Sequence, residues 1–345
     1  MKIKLIFTVG LTLLLLSCKV EKERTSESNN TIRYFTKLTG IISPFLDYQP
    51  RGEITSQQLD SVSHYKVIYD DQGRVSEMSF FKGKHPSDDS YFYSHKVKYN
   101  YQPDQLQRTY FSTKGEKMDM WRHYYMGSGI HKEAFELDDL GRKKSLRLYD
   151  TLDTRISNGL GIYEYQVKYI SDTSFVQYQF DSLNTSKTLT EYFPFSAALI
   201  TIDEKGHLYS IGNVNDSNQL TMQDSAGFAN VIFDFDEYGN ETAWRFYDKE
   251  ENLANRRSYK DMDYGYAQCV FKMDWIDEQL GLIKDYQQLY FDSEGQPVND
   301  NFGVHQINYN VHHYGALSGI EYYDLNGSKV IHPASGYFRV EVTFD

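Results

Sequence analysis

The sequence predicts an all-β protein made of tandem antiparallel β-hairpin repeats, which form an elongated curled sheet or a solenoid-like array. Three observations support this fold class. A unit with glycines and aromatic residues at fixed offsets recurs along the chain. Apolar residues alternate with polar ones within each unit, as in half-buried strands. Aromatic residues make up 16% of the sequence, with 30 Tyr and 21 Phe, and these residue types favour strands.

The repeat is clearest from Gly227 to Asp248. A second glycine, Gly239, follows the first after twelve residues, and the unit ends in a Tyr-Asp pair. The copy that begins at Gly265 carries six extra residues, which we place in its first turn around Trp275. Further copies begin at Gly129, Gly161, Gly303 and Gly336. The last of these supplies a first strand without its partner.

Within a copy, the alternation predicts which side chains are buried. Trp244 and Phe246 should face the interior, and Arg245 between them should face solvent. The connections read Asp-x-x-Gly, as in Asp236 to Gly239. There the Asp side chain accepts a hydrogen bond from the backbone two residues on, and Gly supplies a positive φ. One hairpin is not stable alone, so we expect neighbouring copies to bury a shared interior.

The first residues resemble an export signal. Lys2 and Lys4 precede an apolar run from Leu5 to Leu16, which is too short to span a bilayer as a helix. The run ends in Leu-Leu-Ser-Cys, which resembles the lipobox of bacterial lipoproteins and implies lipidation of Cys18 after removal of residues 1–17. The alternative is an ordinary signal peptide with an incidental cysteine.

We divide the remaining chain into three parts. Residues 18–32 are polar and form a tether. Residues 33–60 lack the repeat and form an N-terminal closing segment, in which 41–46 is a short strand or turn at the first edge. Residues 61–345 form the β-hairpin repeat domain.

Composition excludes some partners. The net charge of −12 argues against a nucleic-acid backbone or an anionic lipid surface as a partner. The sequence holds two cysteines, so lipidation of Cys18 would leave Cys269 alone and without a disulfide. Cys269 shares its repeat offset with Val231 and Ile307, which predicts a small buried hydrophobe rather than a reactive thiol.

No catalytic or metal-binding motif emerges from the repeat pattern. His312 and His313 fall on opposite faces of a strand, and His305 has no ligand partner at metal spacing, so we expect no metal or cofactor. The segment 234–239 begins like a calcium loop, but Tyr238 occupies a ligand position, so turn chemistry explains its Asp residues better. Gly127-Ser128-Gly129 lacks the flanks of a nucleophile elbow.

One feature indicates binding. Tyr149, Tyr247 and Tyr323 face away from the buried member of each aromatic or apolar pair. If that face is open, its rings can stack on sugars or on apolar partners. The alternative is that a second sheet, or the curl of the sheet itself, covers them.

The Tyr-Asp-x-x-Gly segments, followed by a further Tyr-Asp pair, resemble the YD repeats of Rhs-type bacterial surface proteins and related lipoproteins. They are also similar to the aromatic-glycine hairpins of MORN-like repeat proteins. The resemblance covers roughly residues 61–345 and implies a curled β-sheet that acts as a shell or scaffold without catalytic residues. The chain lacks the toxin-bearing end and the length of the large members, which argues against toxin encapsulation.

The expected function is therefore that of an outer-membrane-anchored repeat lipoprotein. It would be a non-enzymatic scaffold or binding protein of the cell envelope, with a protein or glycan partner, facing either the periplasm or the cell surface. The alternative is a carbohydrate-binding accessory of a surface glycan system.

Overall fold

The computed structural model describes residues 31–39, 42–122, 127–257, 265–311, 317–333 and 336–341. The regular elements in these ranges are β-strands, and every strand pairing among them is antiparallel. This part of the chain contains no helix with the length and apolarity to cross a membrane. Cys18 and the predicted export signal lie outside the described residues.

The strands are short and follow one another closely. In chain order they are β1 (Thr31–Leu38), β2 (Pro50–Ile54), β3 (Ser63–Tyr69), β4 (Val75–Lys82), β5 (His85–Pro86), β6 (Lys96–Tyr101), β7 (Gln105–Phe111), β8 (Met120–Arg122), β9 (Gly127–Ile130), β10 (Lys132–Leu137), β11 (Lys143–Tyr149), β12 (Arg155–Ile156), β13 (Glu164–Tyr169), β14 (Ser174–Phe180), β15 (Ala197–Ile202), β16 (Leu208–Asn213), β17 (Asn230–Phe235), β18 (Glu241–Tyr247), β19 (Gln268–Asp277), β20 (Leu282–Phe291), β21 (Gln306–Val311), β22 (Leu317–Tyr323) and β23 (Arg339–Glu341).

These strands form one 21-stranded sheet, while β8 and β9 pair separately. The ladder begins with β2, β1, β3, β4, β6, β7, β10, β11 and β13, and then follows chain order to β23. The short strands β5 and β12 pair onto β4 and β11. The predicted fold class, an all-β array of antiparallel hairpins in an elongated curled sheet, is confirmed.

The sheet curls until its first strands meet much later turns. The Thr36 hydroxyl in β1 donates to the carbonyl oxygen of Leu280, between β19 and β20. The ammonium group of the adjacent Lys37 donates to the side-chain oxygen of Asn240, between β17 and β18. One face of the sheet is therefore enclosed and the other faces outward.

The inward side chains are those that the alternation predicts. Phe233 and Phe246 are 2% and 0% exposed, and Trp244 packs against the same core. Arg245 lies between Trp244 and Phe246 in the sequence, and its side chain is 36% exposed. The prediction for this strand is confirmed, and burial of these large rings stabilises the array by roughly 1.5–3 kcal/mol each.

The Asp-x-x-Gly turns are also confirmed. Asp236 Oδ1 accepts the N–H of Tyr238 at 2.9 Å, and Gly239 has a φ of +77°. The same oxygen accepts the N–H of Asn240 at 2.8 Å, a second bond that the sequence analysis did not include. The paired bonds recur at Asp70, Asp138, Asp150, Asp181, Asp203, Asp248, Asp292, Asp300 and Asp324.

One expectation about the repeats is wrong. The extra residues around Trp275 lengthen β19 and β20 to ten residues each, and the turn between them stays short. The added residues pair across the hairpin, for example Met273 with Tyr286, so they extend the ladder instead of a loop. This added length brings Leu280 to the first strands of the sheet.

Two glycines in equivalent turns provide a test of the turn geometry. Gly239 and Gly295 have φ values of +77° and +76°, so Gly→Val at either position should cost roughly 1 kcal/mol from backbone strain. A Cβ at Gly239 would also lie 2.7 Å from Nε2 of His207, whereas a Cβ at Gly295 meets nothing within 4 Å. Urea unfolding should therefore show a clearly larger loss for Gly239→Val, and equal losses would contradict this geometry.

Candidate functional site

The enclosed face of the sheet is filled by the chain's own residues 42–49, which we call the inner segment. The ring of Phe45 packs edge-on against Phe135 and Phe175, with centroids 6.0 and 6.2 Å apart. Tyr48 packs against Phe92 at 5.6 Å. These large side chains find apolar neighbours only in the interior, so the described part of 41–46 lies inside the curl. The first edge of the sheet, where we had expected this segment, is formed by β2.

A buried ion pair holds this segment. Arg108 in β7 and Glu133 in β10 are direct cross-strand partners, and both side chains are 0% exposed. The Arg108 Nε lies 2.8 Å from Glu133 Oε2, and its Nη2 donates to the carbonyl oxygen of Pro44 at 2.7 Å. The Tyr110 hydroxyl also donates to Glu133. Burial is the largest single influence and lowers the pKa of Arg108, but Glu133 and the neighbouring tyrosine hydroxyls together outweigh it, so the pKa of Arg108 is raised.

Further polar contacts fix the path of the inner segment. Lys143 Nζ donates to the carbonyl oxygen of Phe45 at 2.9 Å and to Asp47 Oδ1 at 2.6 Å. Burial lowers the pKa of Lys143, and the charge of Asp47 opposes this shift. Gln49 Nε2 donates to the carbonyl oxygen of Gly206 at 2.8 Å. These interior polar groups therefore serve to bind the chain to itself.

The residues considered for chemistry have structural contacts. Cys269 is fully buried, and burial raises the pKa of its thiol, in agreement with the predicted core role. His305 Nδ1 lies 3.0 Å from the carbonyl oxygen of Val298, while His312 and His313 lie outside the described residues. Within the described ranges, no group of three or more His, Cys, Asp or Glu side chains is placed to hold a metal ion.

The three predicted binding tyrosines lie in β11, β18 and β22 and are half-buried. Lys132 Nζ sits 4.3 Å from the ring centroid of Tyr149, and the Tyr323 hydroxyl donates to Glu321 at 2.7 Å. Along the ladder, Tyr149 lies six strands from Tyr247, a separation of roughly 30 Å. Tyr247 lies four strands from Tyr323, a separation of roughly 20 Å. The rings are thus separated, and a shared binding face stays a prediction.

A groove that the sequence analysis missed crosses β19, β20 and β21 and has a volume of about 430 Å³. Two rows of cross-strand partners flank it, Lys272–Gln287–Asn308 and Asp274–Asp285–Asn310. Both rows alternate with inward residues of the same strands, so their side chains lie on the outer face. Asp274 is also paired with Lys284 at 3.0 Å. The first row continues to Glu321, which binds the Tyr323 hydroxyl.

The comparisons with known proteins give little on function. No family model and no curated protein matches the chain. Among solved structures, the chain is similar to one in the crystal structure of TcdB2-TccC3, with 9% sequence identity and a TM-score of 0.24. The match covers 76% of this chain and 14% of that chain.

The buried pair provides a stability test. Glu133→Gln leaves Arg108 charged and buried without its counter-ion, which should lower the free energy of unfolding by about 3–5 kcal/mol in urea denaturation. Arg108→Met combined with Glu133→Gln should cost less than the sum of the single changes.

The exposed pair of Arg33 and Glu53 is the matched control, since its side chains are 45% and 50% exposed. Glu53→Gln should cost less than about 1 kcal/mol. A loss for Glu133→Gln no larger than that of the control would contradict a structural role for the buried pair.

Proposed function

We propose that this chain is a non-enzymatic scaffold or binding protein of the cell envelope, anchored to the outer membrane through Cys18. The observation that carries the proposal is the filled interior. The inner segment occupies the enclosed face, and Arg108 and Lys143 bind its backbone. Partners therefore meet the outer face and the edges of the sheet. The resemblance to YD-repeat proteins, whose sheets act as scaffolds, supports the same function.

The anchor is proposed from the export signal and the lipobox-like sequence that ends at Cys18. The polar residues that follow would hold the sheet away from the bilayer as a tether. The first described strand begins at Thr31, so about a dozen residues separate the proposed anchor from the sheet.

Removal of the anchoring thiol tests the proposed location in the cell envelope. Cys18→Ala should move the protein from the membrane fraction to the soluble fraction, because an acyl chain supplies membrane binding that the acidic chain lacks. Cys269→Ala is the control, since that cysteine is buried in the core and should leave the fractionation unchanged. Membrane retention of the Cys18→Ala variant would contradict the anchor.

The second candidate function is carbohydrate binding, and the outer groove favours it. Its volume suits a small-molecule site, and its two rows present amide and carboxylate groups that can bond sugar hydroxyls. Among the three predicted tyrosines, Tyr323 lies beside the continuation of one row at Glu321 and could add a ring to the same surface. Gln287 and Asn308 are adjacent members of that row.

Affinity electrophoresis in gels that contain polysaccharides separates the two functions. A carbohydrate-binding protein should be retarded, and Gln287→Ala or Asn308→Ala should weaken binding about five- to tenfold through loss of about 1 kcal/mol per hydrogen bond. Tyr209→Ala, at an exposed tyrosine of β16 outside the predicted binding face, is the control and should bind as the wild type does. Equal mobility with and without every polysaccharide would exclude the carbohydrate function and leave the scaffold proposal standing.

A further inference from the structure

The two edges of the sheet differ in their surroundings. In β2, Gly52 packs closely on the carbonyl of Leu280, and a Cβ built at Gly52 would lie 2.6 Å from that oxygen. At the other end, β23 pairs with β22, and no further strand among the described residues pairs with it. An edge strand of this kind presents unpaired backbone donors and acceptors, which can add a strand from another chain.

The backbone of β23 shows which groups face outward. The N–H of Tyr322 donates to the carbonyl oxygen of Phe338 at 3.2 Å, and Val340 is the cross-strand partner of Ile320. Since groups on one side of an antiparallel strand alternate, the N–H and C=O of Val340 point to β22. Those of Arg339 and Glu341 point to the open edge.

We propose that β23 is a dimerisation strand, which pairs antiparallel with β23 of a second copy of this chain around a two-fold axis at Val340. In this register Arg339 lies opposite Glu341 of the second copy, and the reverse pair forms on the other side of the axis. Each such pair exchanges two backbone hydrogen bonds through the outward-facing groups. The sheet then continues across the dimer.

The charges select this register over its neighbours. An axis at Arg339 would oppose two guanidinium groups, and an axis at Glu341 would oppose two carboxylates, and like charges directly opposite are destabilising. With the axis at Val340, Arg339 lies between Glu321 of its own β22 and Glu341 of the second copy. Its Nη1 is already 3.6 Å from Glu321 Oε1. Within its own strand Arg339 is also paired with Glu341, so in the dimer the guanidinium would lie among carboxylates of both copies. Of the three axes at Arg339, Val340 and Glu341, the one at Val340 places opposite charges against each other.

Apolar surface at the same end supports association. Tyr337 and Phe338 are 63% and 43% exposed, and Ile331 is 62% exposed. Tyr337 follows Gly336 as Phe228 follows Gly227, yet Phe228 is fully buried. A second copy placed against β23 would cover part of this surface, and exposed apolar patches of this kind mark protein interfaces.

Charge reversal tests the proposal by sedimentation equilibrium over a concentration series. The wild type should be dimeric, and Arg339→Glu or Glu341→Arg alone should weaken dimerisation at least tenfold. An equimolar mixture of the two variants should recover the dimer, because each chain then carries the charges that the other needs. The double variant Arg339→Glu/Glu341→Arg should also dimerise.

A covalent trap provides a second readout. Val340 and its symmetry mate would form a pair without mutual hydrogen bonds, with Cα atoms about 4.5 Å apart, which a disulfide can bridge. Val340→Cys should therefore form a disulfide-linked dimer on a non-reducing gel, and Leu325→Cys, at an exposed turn position, should not. A monomeric wild type, dimeric single charge variants, or failure of both the equimolar mixture and the double variant to dimerise would overturn the proposal.

Discussion

The fold depends on how the enclosed face of a curled sheet is filled. Here the chain fills it with its own inner segment, and the contact between Arg108 and the carbonyl oxygen of Pro44 joins that segment to the sheet. A guanidinium group removed from water is costly unless its charge and its donors are matched. Glu133 supplies the opposite charge, and the carbonyl oxygen of Pro44 accepts one N–H of the guanidinium group. The contact with Pro44 therefore forms only when the inner segment follows the observed path.

Along the sheet, the same local chemistry is repeated. Many turns are closed by a carboxylate or amide that accepts two backbone N–H groups, as at Asp236. The residue after five of the six repeat glycines enters the core, whereas Tyr337 after Gly336 is exposed. Those core residues are Ile130, Ile162, Phe228, Tyr266 and Val304, all of them nearly or fully buried. Aromatic contacts link neighbouring copies, as in the stacked rings of Tyr266 and Tyr290 at 4.2 Å. A positive φ at the fourth turn residue recurs along the sheet, mostly at Gly but also at Asp153, Asn184 and Glu251.

The sequence predicted the parts of this structure that depend on local pattern. Alternation at Trp244 to Phe246 and the Asp-x-x-Gly turns follow from period and from side-chain hydrogen bonding, which act over a few residues. The path of the inner segment depends on the curvature of the whole sheet, so a local pattern does not predict it. One signal was present, because Arg108 and Glu133 occupy inward positions of adjacent strands, where apolar residues are the rule.

The candidate surfaces were less predictable than the fold. The alternation predicted the outward position of the tyrosines, but their separation depends on how many strands lie between copies. The outer groove depends on the register of β19, β20 and β21. The sequence pattern placed the extra residues in a turn, so it did not predict the paired rows that flank the groove. Cys18 lies outside the described residues, so its lipidation stays a prediction.

The long hairpin of β19 and β20 has a thermodynamic consequence. In an open repeat array, each unit contacts only its neighbours, so the ends can melt independently of the middle. Here Thr36 bonds Leu280 across 244 positions of sequence, which ties the first strands to a late repeat. Loss of the first strands releases contacts at the β19–β20 hairpin, and loss of that hairpin releases contacts at the first strands. The part of the array between them should therefore melt as one cooperative unit instead of fraying repeat by repeat.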